Sequence, residues 1–266
     1  MKKLLSVLLC LGLVGCATTN PYQDFYHTKG VDPFKAGEAI MPPVDAIPEI
    51  IEGNLTKEDI KADGIRMREN NYKLLGYSSF SAREISRDNA IAFGKGIHAE
   101  KIILYVKYTN TVSGSMPMTL PDIHTSNTQG FIGNTPVSAQ TTTYGSQTMD
   151  IPYSVNRYDY FASYWVKGTP PISGFLWDDL TDDLKKQIGS NKGVIVIGVR
   201  KDSPAFNADF FKGDIIKKVD NTEVVDKNMF KDLLDQVSGK KVTIVFLRDG
   251  KELTKTIQMN PKPNVP

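Results

Sequence analysis

Cysteine is almost absent from this sequence: Cys10 and Cys16 are the only two among 266 residues. Because both lie near the start, the rest of the chain has no pair for a disulfide and no cysteine for a metal site. Histidine is nearly as rare, and His27, His98 and His124 lie far apart. No His-Glu-x-x-His pattern occurs, which excludes a zinc site of that kind.

An excess of charge of either sign is also missing. The chain holds 32 Lys and Arg residues against 30 Asp and Glu residues, which gives a formal net charge of +2. Because Lys2 and Lys3 account for the surplus, residues 16–266 are formally neutral. A neutral chain has no electrostatic preference for nucleic acid or anionic lipid, so nucleic acid is not an expected partner.

A hydrophobic run long enough to cross a bilayer is not found at the start of the chain. The apolar stretch Leu4–Leu13 is too short for this, since a spanning helix needs about 20 apolar residues. Its length, with Lys2 and Lys3 before it, is typical of a secretory signal. A signal peptide over residues 1–15 is therefore predicted.

The segment Leu13–Cys16 places a small residue, Gly15, directly before a cysteine. It resembles the lipobox of bacterial lipoproteins. The resemblance implies cleavage before Cys16, a thioether-linked diacylglycerol on its sulfur and a further acyl chain such as palmitate on its amino group, with no other cofactor. Ala17 in place of Asp implies sorting to the outer membrane, with the protein facing the periplasm. The alternative is an ordinary secretory signal in which Cys16 has no role.

Residues 16–48 are predicted to form a lipidated spacer, because recurring prolines among polar residues make a chain extended and semi-rigid. Residues 49–167 are predicted to fold as an α/β domain. Its expected elements are a helix after Thr56, a strand over 72–80, a helix over 83–95 and strands over 101–109 and 157–166. The last of these strands carries an aromatic cluster, for which core packing is favoured over ligand binding.

Residues 110–150 are predicted to be a long polar loop within this domain. Ser, Thr, Gly, Asn, Gln, Met and Pro dominate the segment, and charged residues are few. A structureless loop of this length is uncommon in a compact domain. Three alternatives remain open: a mobile surface loop, a long hairpin, or a segment that orders on a partner.

The last third of the chain has a recognisable order of motifs. Ser203-Pro204-Ala205 begins a short helix, with Ser203 as the N-cap residue and Pro204 at the first helical position. Lys212–Ile216 leads from a turn into a strand, Asp220-Asn221 forms a turn, and Arg248–Lys251 closes a hairpin. With these motifs, residues 172–259 resemble the PDZ domain that follows the protease domain in HtrA-type periplasmic proteases.

The implied fold class is α+β. An N-terminal α/β lipoprotein domain is followed by a PDZ-like β-barrel or sandwich with two helices. The PDZ-like domain is placed at residues 168–260, and residues 261–266 form a tail.

A PDZ domain binds a peptide C-terminus by β-augmentation: the peptide adds a strand to an open sheet edge beside a helix, and backbone amides hold its carboxylate. Carried over by resemblance, the peptide-binding segment consists of Ile172, Ser173, Gly174, Phe175 and Leu176. Gly174 fits because close approach of the backbone to a ligand requires a residue without Cβ.

The helix over 228–237 is expected to form the other wall of the groove. Its two apolar stripes are Met229 with Leu233, and Phe230 with Leu234 and Val237. One stripe faces the groove and the other faces the core, and the sequence leaves both assignments open. An alternative is a blocked or unused groove, because Ser173 replaces the usual apolar residue and Asp178 and Asp179 follow closely.

Catalytic motifs of the HtrA-type proteases are missing. Neither Gly-Asn-Ser-Gly-Gly nor a Gly-x-Ser-x-Gly elbow occurs, so the chain is expected not to be an enzyme. The leading hypothesis is a membrane-anchored periplasmic adaptor that binds a protein or peptide C-terminus. One alternative is a structural subunit of an envelope complex or homo-oligomer, with the PDZ-like domain as a packing module. A hydrolase of unfamiliar type is the third.

Overall fold

The computed structural model describes residues 19–28, 30–132 and 135–262. The predicted signal peptide and Cys16 lie outside these residues. None of the helices within them has the length and apolar character that crossing a bilayer requires. The described residues divide into two compact units: the second consists of residues from 81–85 and 106–159, and the first contains all the others.

The first unit contains a sheet with strand order β1-β3-β5-β4-β2, in which β2 is parallel to β4 and β1 antiparallel to β3. Its elements are α1 (Pro21–Asp24), β1 (Tyr26–Thr28), β2 (Glu49–Gly53), α2 (Lys57–Glu69) and α3 (Arg87–Gly96). It also holds parts of β3 (Tyr72–Ala82), β4 (Lys101–Ile132) and β5 (Thr135–Lys167), whose remaining residues belong to the second unit. Thr56 caps α2 as predicted, because its hydroxyl accepts from the amide of Asp59 at 3.1 Å. Helix α3 begins later than predicted, since Ser86 is its N-cap.

Part of the predicted spacer belongs to the folded core. Tyr22, in α1, has no exposed surface, and its ring packs edge-on against Phe80 with centroids 5.0 Å apart. Its carbonyl accepts a hydrogen bond from the hydroxyl of Ser78 at 2.5 Å. The prediction of an extended spacer is therefore wrong for residues 20–28, because aromatic side chains there bury enough apolar area to order the chain. The aromatic cluster near the end of β5 is also core, as favoured: Tyr164 and Trp165 are buried.

The C-terminal part of the first unit is an open sheet in the order β11-β10-β8-β7-β6, with β9 paired to β8. Its elements are β6 (Phe175–Asp179), α4 (Asp182–Ile188), β7 (Val194–Val199), α5 (Pro204–Asn207), β8 (Ile215–Val219), β9 (Thr222–Glu223), α6 (Lys227–Gln236), β10 (Lys241–Arg248) and β11 (Lys251–Gln258). Mixed α+β architecture is thus confirmed. The described residues contain three helices here instead of the predicted two, and the sheet is open.

A buried ion pair joins two motifs that lie far apart in the sequence. Asp214 is 1% exposed, and Arg248 donates from Nε and Nη2 to its two carboxylate oxygens, both at 2.7 Å. The amide of Phe211 donates to the same carboxylate at 2.9 Å. This network connects the turn before β8 to the end of β10.

The second unit is a long hairpin formed by the continuation of β4 and β5, so of the three alternatives for residues 110–150 the structure shows the hairpin. Cross-strand side-chain hydrogen bonds define one polar face: Thr111 to Asn156, Ser113 to Ser154 and Thr119 to Thr148. Side chains alternate between faces along a strand. The opposite face carries apolar side chains that are 37–55% exposed, namely Val112, Met116, Met118, Met149, Ile151 and Tyr153.

Candidate functional site

A cavity of about 250 Å³ lies between β6, α6 and the loop that precedes β6. Strand β6 is the outermost strand at its side of the sheet, so one of its edges pairs with no strand among the described residues. The cavity is smaller than the roughly 300–1,000 Å³ typical of drug-sized ligand sites.

The backbone of residues 171–174 is held by hydrogen bonds to its carbonyl oxygens. The donors are the side chain of Asn260 to Pro171 at 2.9 Å, the amide of Asn260 to Ile172 at 2.9 Å, the amide of Ala205 to Ser173 at 2.8 Å and the amide of Arg200 to Gly174 at 2.9 Å. All four carbonyls are thus turned toward the body of the domain.

The amides of the same loop are left without acceptors. In the described part of the chain, the N–H groups of Ile172, Ser173 and Gly174 donate no hydrogen bond. Because a trans peptide unit points its N–H away from its C=O, the tied carbonyls turn these amides to the opposite side of the loop. Successive free amides form a concave site for an anion. The loop therefore presents three free amides on the side opposite its tied carbonyls.

Gly174 is required by the local backbone. Its φ is +86°, in the region that favours glycine, and a Cβ at this position would overlap the Cβ and Oγ of Ser203. Ser203 is fully buried and caps α5 by accepting from the amide of Phe206 at 3.3 Å. The Ser-Pro-Ala motif thus contacts the loop 171–174 directly, since the amide of Ala205 also donates to the carbonyl of Ser173.

One end of the groove is closed by contacts between β6 and α6. The indole N–H of Trp177 donates to the carbonyl of Lys227 at 3.1 Å, and its ring lies edge-on to Phe230. The Lys227 ammonium also pairs with Asp178 at 3.2 Å and Asp179 at 3.3 Å. The hydrogen bond from the amide of Asp179, followed by that from Lys227, lowers the pKa of Asp178. The open part of the groove therefore lies toward the loop.

The structure brings together some of the predicted peptide-binding residues and separates others. Ile172, Ser173, Gly174, Phe175 and Leu234 line the cavity, whereas Leu176, Met229, Phe230 and Leu233 do not. Phe230 and Leu233 are buried in the core, and Met229 packs against it. The residues of helix α6 that line the cavity are instead Lys231, Leu234 and Asp235. Their spacing of three and four residues places them on one face of the helix. Neither predicted stripe lines the groove as a whole.

Charged residues are the part of the site that sequence reasoning missed. Cations outnumber anions: Lys73, Arg200, Lys231 and Lys262 line the cavity together with Glu38 and Asp235. Burial and the nearby Arg200 lower the pKa of Lys73, and burial also lowers the pKa of Arg200. An anionic ligand would relieve this accumulation of positive charge.

Comparison with known proteins identifies the C-terminal module. Residues 178–259 match the PDZ domain family, and no curated protein matches the chain. Among solved structures, a variant of the HtrA-type protease AlgW with a decapeptide is 25% identical with a TM-score of 0.31, over 38% of this chain and 37% of that one. The HtrA3 PDZ domain bound to a phage-derived ligand is 22% identical (TM-score 0.30), over 33% of this chain and 83% of that one.

A serine endoprotease from Yersinia pestis is 22% identical, with a TM-score of 0.28, over 34% of this chain and 29% of that one. The chain thus spans little more than a third of AlgW. The family match shows a PDZ domain, which is a protein-binding module. The matched range begins after the loop 171–174, so this loop and the N-terminal half lie outside it.

Proposed function

We propose that this protein is a membrane-anchored periplasmic adaptor that binds the C-terminal tail of another protein in the groove beside β6. The observation that carries the proposal is the loop at 171–174, in which four carbonyls are tied back and three amides have no acceptor. The net positive lining and the free edge of β6 support the same ligand. A tail would extend the sheet while the amides hold its terminal carboxylate.

The requirement for a free terminal carboxylate tests this function. Fluorescein-labelled pentapeptides ending in Gly-Val are expected to bind the full chain as free acids and to lose at least about tenfold in affinity as C-terminal amides, because the amide removes the charge that the loop receives. Fluorescence anisotropy measures both affinities, and mass spectrometry should recover the peptides intact, since no catalytic role is proposed. Equal affinity of acid and amide would argue against the loop as a carboxylate site.

Anchoring is the second part of the proposal. Lipidation at Cys16 would place the adaptor on the outer membrane, facing the periplasm, and so fix where the tail is held. Several acyl chains are needed for this, because a single chain gives only reversible binding and each buried CH₂ contributes about 0.8 kcal/mol.

The apolar face of the hairpin favours a second candidate function, as a subunit of an envelope assembly. Met116 and Ile151 lie on this face, and both are exposed in the single chain. Exposed contiguous apolar surface commonly marks an interface. In this case the hairpin faces of two copies would cover each other.

Light scattering on the fragment 17–266 tests the assembly. If the hairpin mediates assembly, the fragment forms a defined oligomer. Combining Met116→Lys and Ile151→Glu then yields a monomer, because charges on the apolar face oppose its burial. The matched control combines Ser113→Lys and Ser154→Glu on the polar face and should remain oligomeric. A monomeric wild-type fragment at all concentrations would rule this candidate out.

A further inference from the structure

Arg200 stands apart from the other charged residues of the groove. Lys231 and Lys262 both pair with Asp235, at 3.0 and 3.6 Å, and Lys73 pairs with Glu38 at 2.7 Å. The guanidinium of Arg200, by contrast, donates no hydrogen bond to any described residue, and its Nε is buried without a partner. A buried charged donor without an acceptor costs free energy that a ligand can recover.

Arg200 lies directly beside the carboxylate loop. Its amide donates to the carbonyl of Gly174, and its Cβ lies 3.6 Å from the position that a Cβ on Gly174 would occupy. Its side chain lines the same cavity as Lys73, a residue of β3 in the N-terminal half. The groove is thus composite, since Arg200 and Lys231 lie within the PDZ match, whereas Lys73 lies before it and Lys262 after it.

We propose that Arg200 and Lys73 form a second anion subsite, which binds the acidic side chain of the penultimate residue of the bound tail. This inference rests on the proposed function, in which the loop amides hold the terminal carboxylate. The apolar lining from Phe175, Trp177 and Leu234 accepts the side chain of the last residue. The preferred ligand is then a tail with an apolar last residue and an Asp or Glu before it.

Glu38 supplies a carboxylate to the same cations in the free protein. Its carboxylate bonds to Lys73, and it also interacts electrostatically with Arg200 and Lys231. An incoming acidic side chain would therefore take over a position that Glu38 serves in the free protein. Removing the Glu38 charge should strengthen binding of acidic tails.

Pentapeptides with free carboxylates that end in Glu-Val, Gly-Val or Lys-Val test the subsite on the full chain purified in detergent. The Glu-Val tail is expected to bind at least about tenfold more tightly than the Lys-Val tail, as for a charge-assisted hydrogen bond. Arg200→Gln should reduce this ratio below about threefold, and Lys73→Gln should lower it as well. Glu38→Gln should raise the affinity for Glu-Val while the requirement for a free terminal carboxylate persists.

Lys201→Gln is the matched control, because it removes the same charge one residue away, where Lys201 is exposed and outside the cavity. It should keep the wild-type ratio. If Arg200→Gln fails to fold, as shown by thermal unfolding, Lys73→Gln and Glu38→Gln decide the outcome. Equal affinity of all three tails for the wild-type chain would overturn the subsite alone, whereas no binding of any tail would overturn the proposed function.

Discussion

Gly174→Ala is expected to abolish tail binding and to destabilise the C-terminal part of the fold. The substitution destabilises the folded loop for two separate reasons. A φ of +86° strains any residue with a Cβ by about 1–3 kcal/mol, and the new methyl group would overlap the buried Ser203. The loop can relieve the overlap only by moving, which displaces the amides that we propose receive the carboxylate.

We expect the midpoint of thermal unfolding to fall by roughly 5–10 °C and the affinity for a Gly-Val tail to fall at least about 100-fold. Circular dichroism and fluorescence anisotropy measure the two effects. Gly250→Ala is the matched control, because Gly250 has a similar φ of +75° but no atom within 4 Å of the added Cβ. It should be mildly destabilised and bind normally. Wild-type affinity in Gly174→Ala would show that the tail binds elsewhere.

Cys16→Ser is expected to abolish lipidation and attachment to the outer membrane. Serine lacks the nucleophilic sulfur to which the diacylglycerol is attached, so neither lipidation nor the cleavage that follows it should occur. Without acyl chains, the predicted anchor loses the buried CH₂ groups that hold it. Labelling with radioactive palmitate should mark the wild-type protein and leave the variant unlabelled.

Cys10→Ser provides the control for this experiment, because Cys10 lies inside the predicted signal peptide and is removed with it. That variant should be labelled and fractionate with the outer membrane like the wild type. Labelled, membrane-bound Cys16→Ser protein would instead place the anchor at another residue.

Local structure was predictable wherever a few adjacent residues determine it. Thr56 caps α2, and Ser203 with Pro204 begins α5, because each supplies a group or a backbone angle that the first turn requires. Asp249 and Gly250 have φ values of +51° and +75°, as the tight turn of a hairpin demands. The order of these motifs was sufficient to indicate the PDZ resemblance, which the family match supports over residues 178–259.

The hairpin and the ordered residues 20–28 were harder to predict from the sequence. The paired segments of β4 and β5 are rich in Ser and Thr. Which apolar residues of the two strands share a face depends on the register of the pairing, which the sequence does not reveal. Tyr22 is buried because Phe80 and Tyr160, far along the chain, surround its ring. Periodicity within a short window contains no information about such partners.

By itself, the sequence determined the caps and turns of the PDZ-like part and the glycine in the loop 171–174, and it predicted lipid attachment at Cys16. Only the tertiary structure decided which side chains face the groove. Helix α6 buries Phe230 and Leu233 and presents Lys231 and Asp235, while β3 supplies Lys73 beside Arg200. The reason is physical: caps and turns depend on neighbours a few residues away, whereas the charge of a groove depends on how separate elements pack against each other.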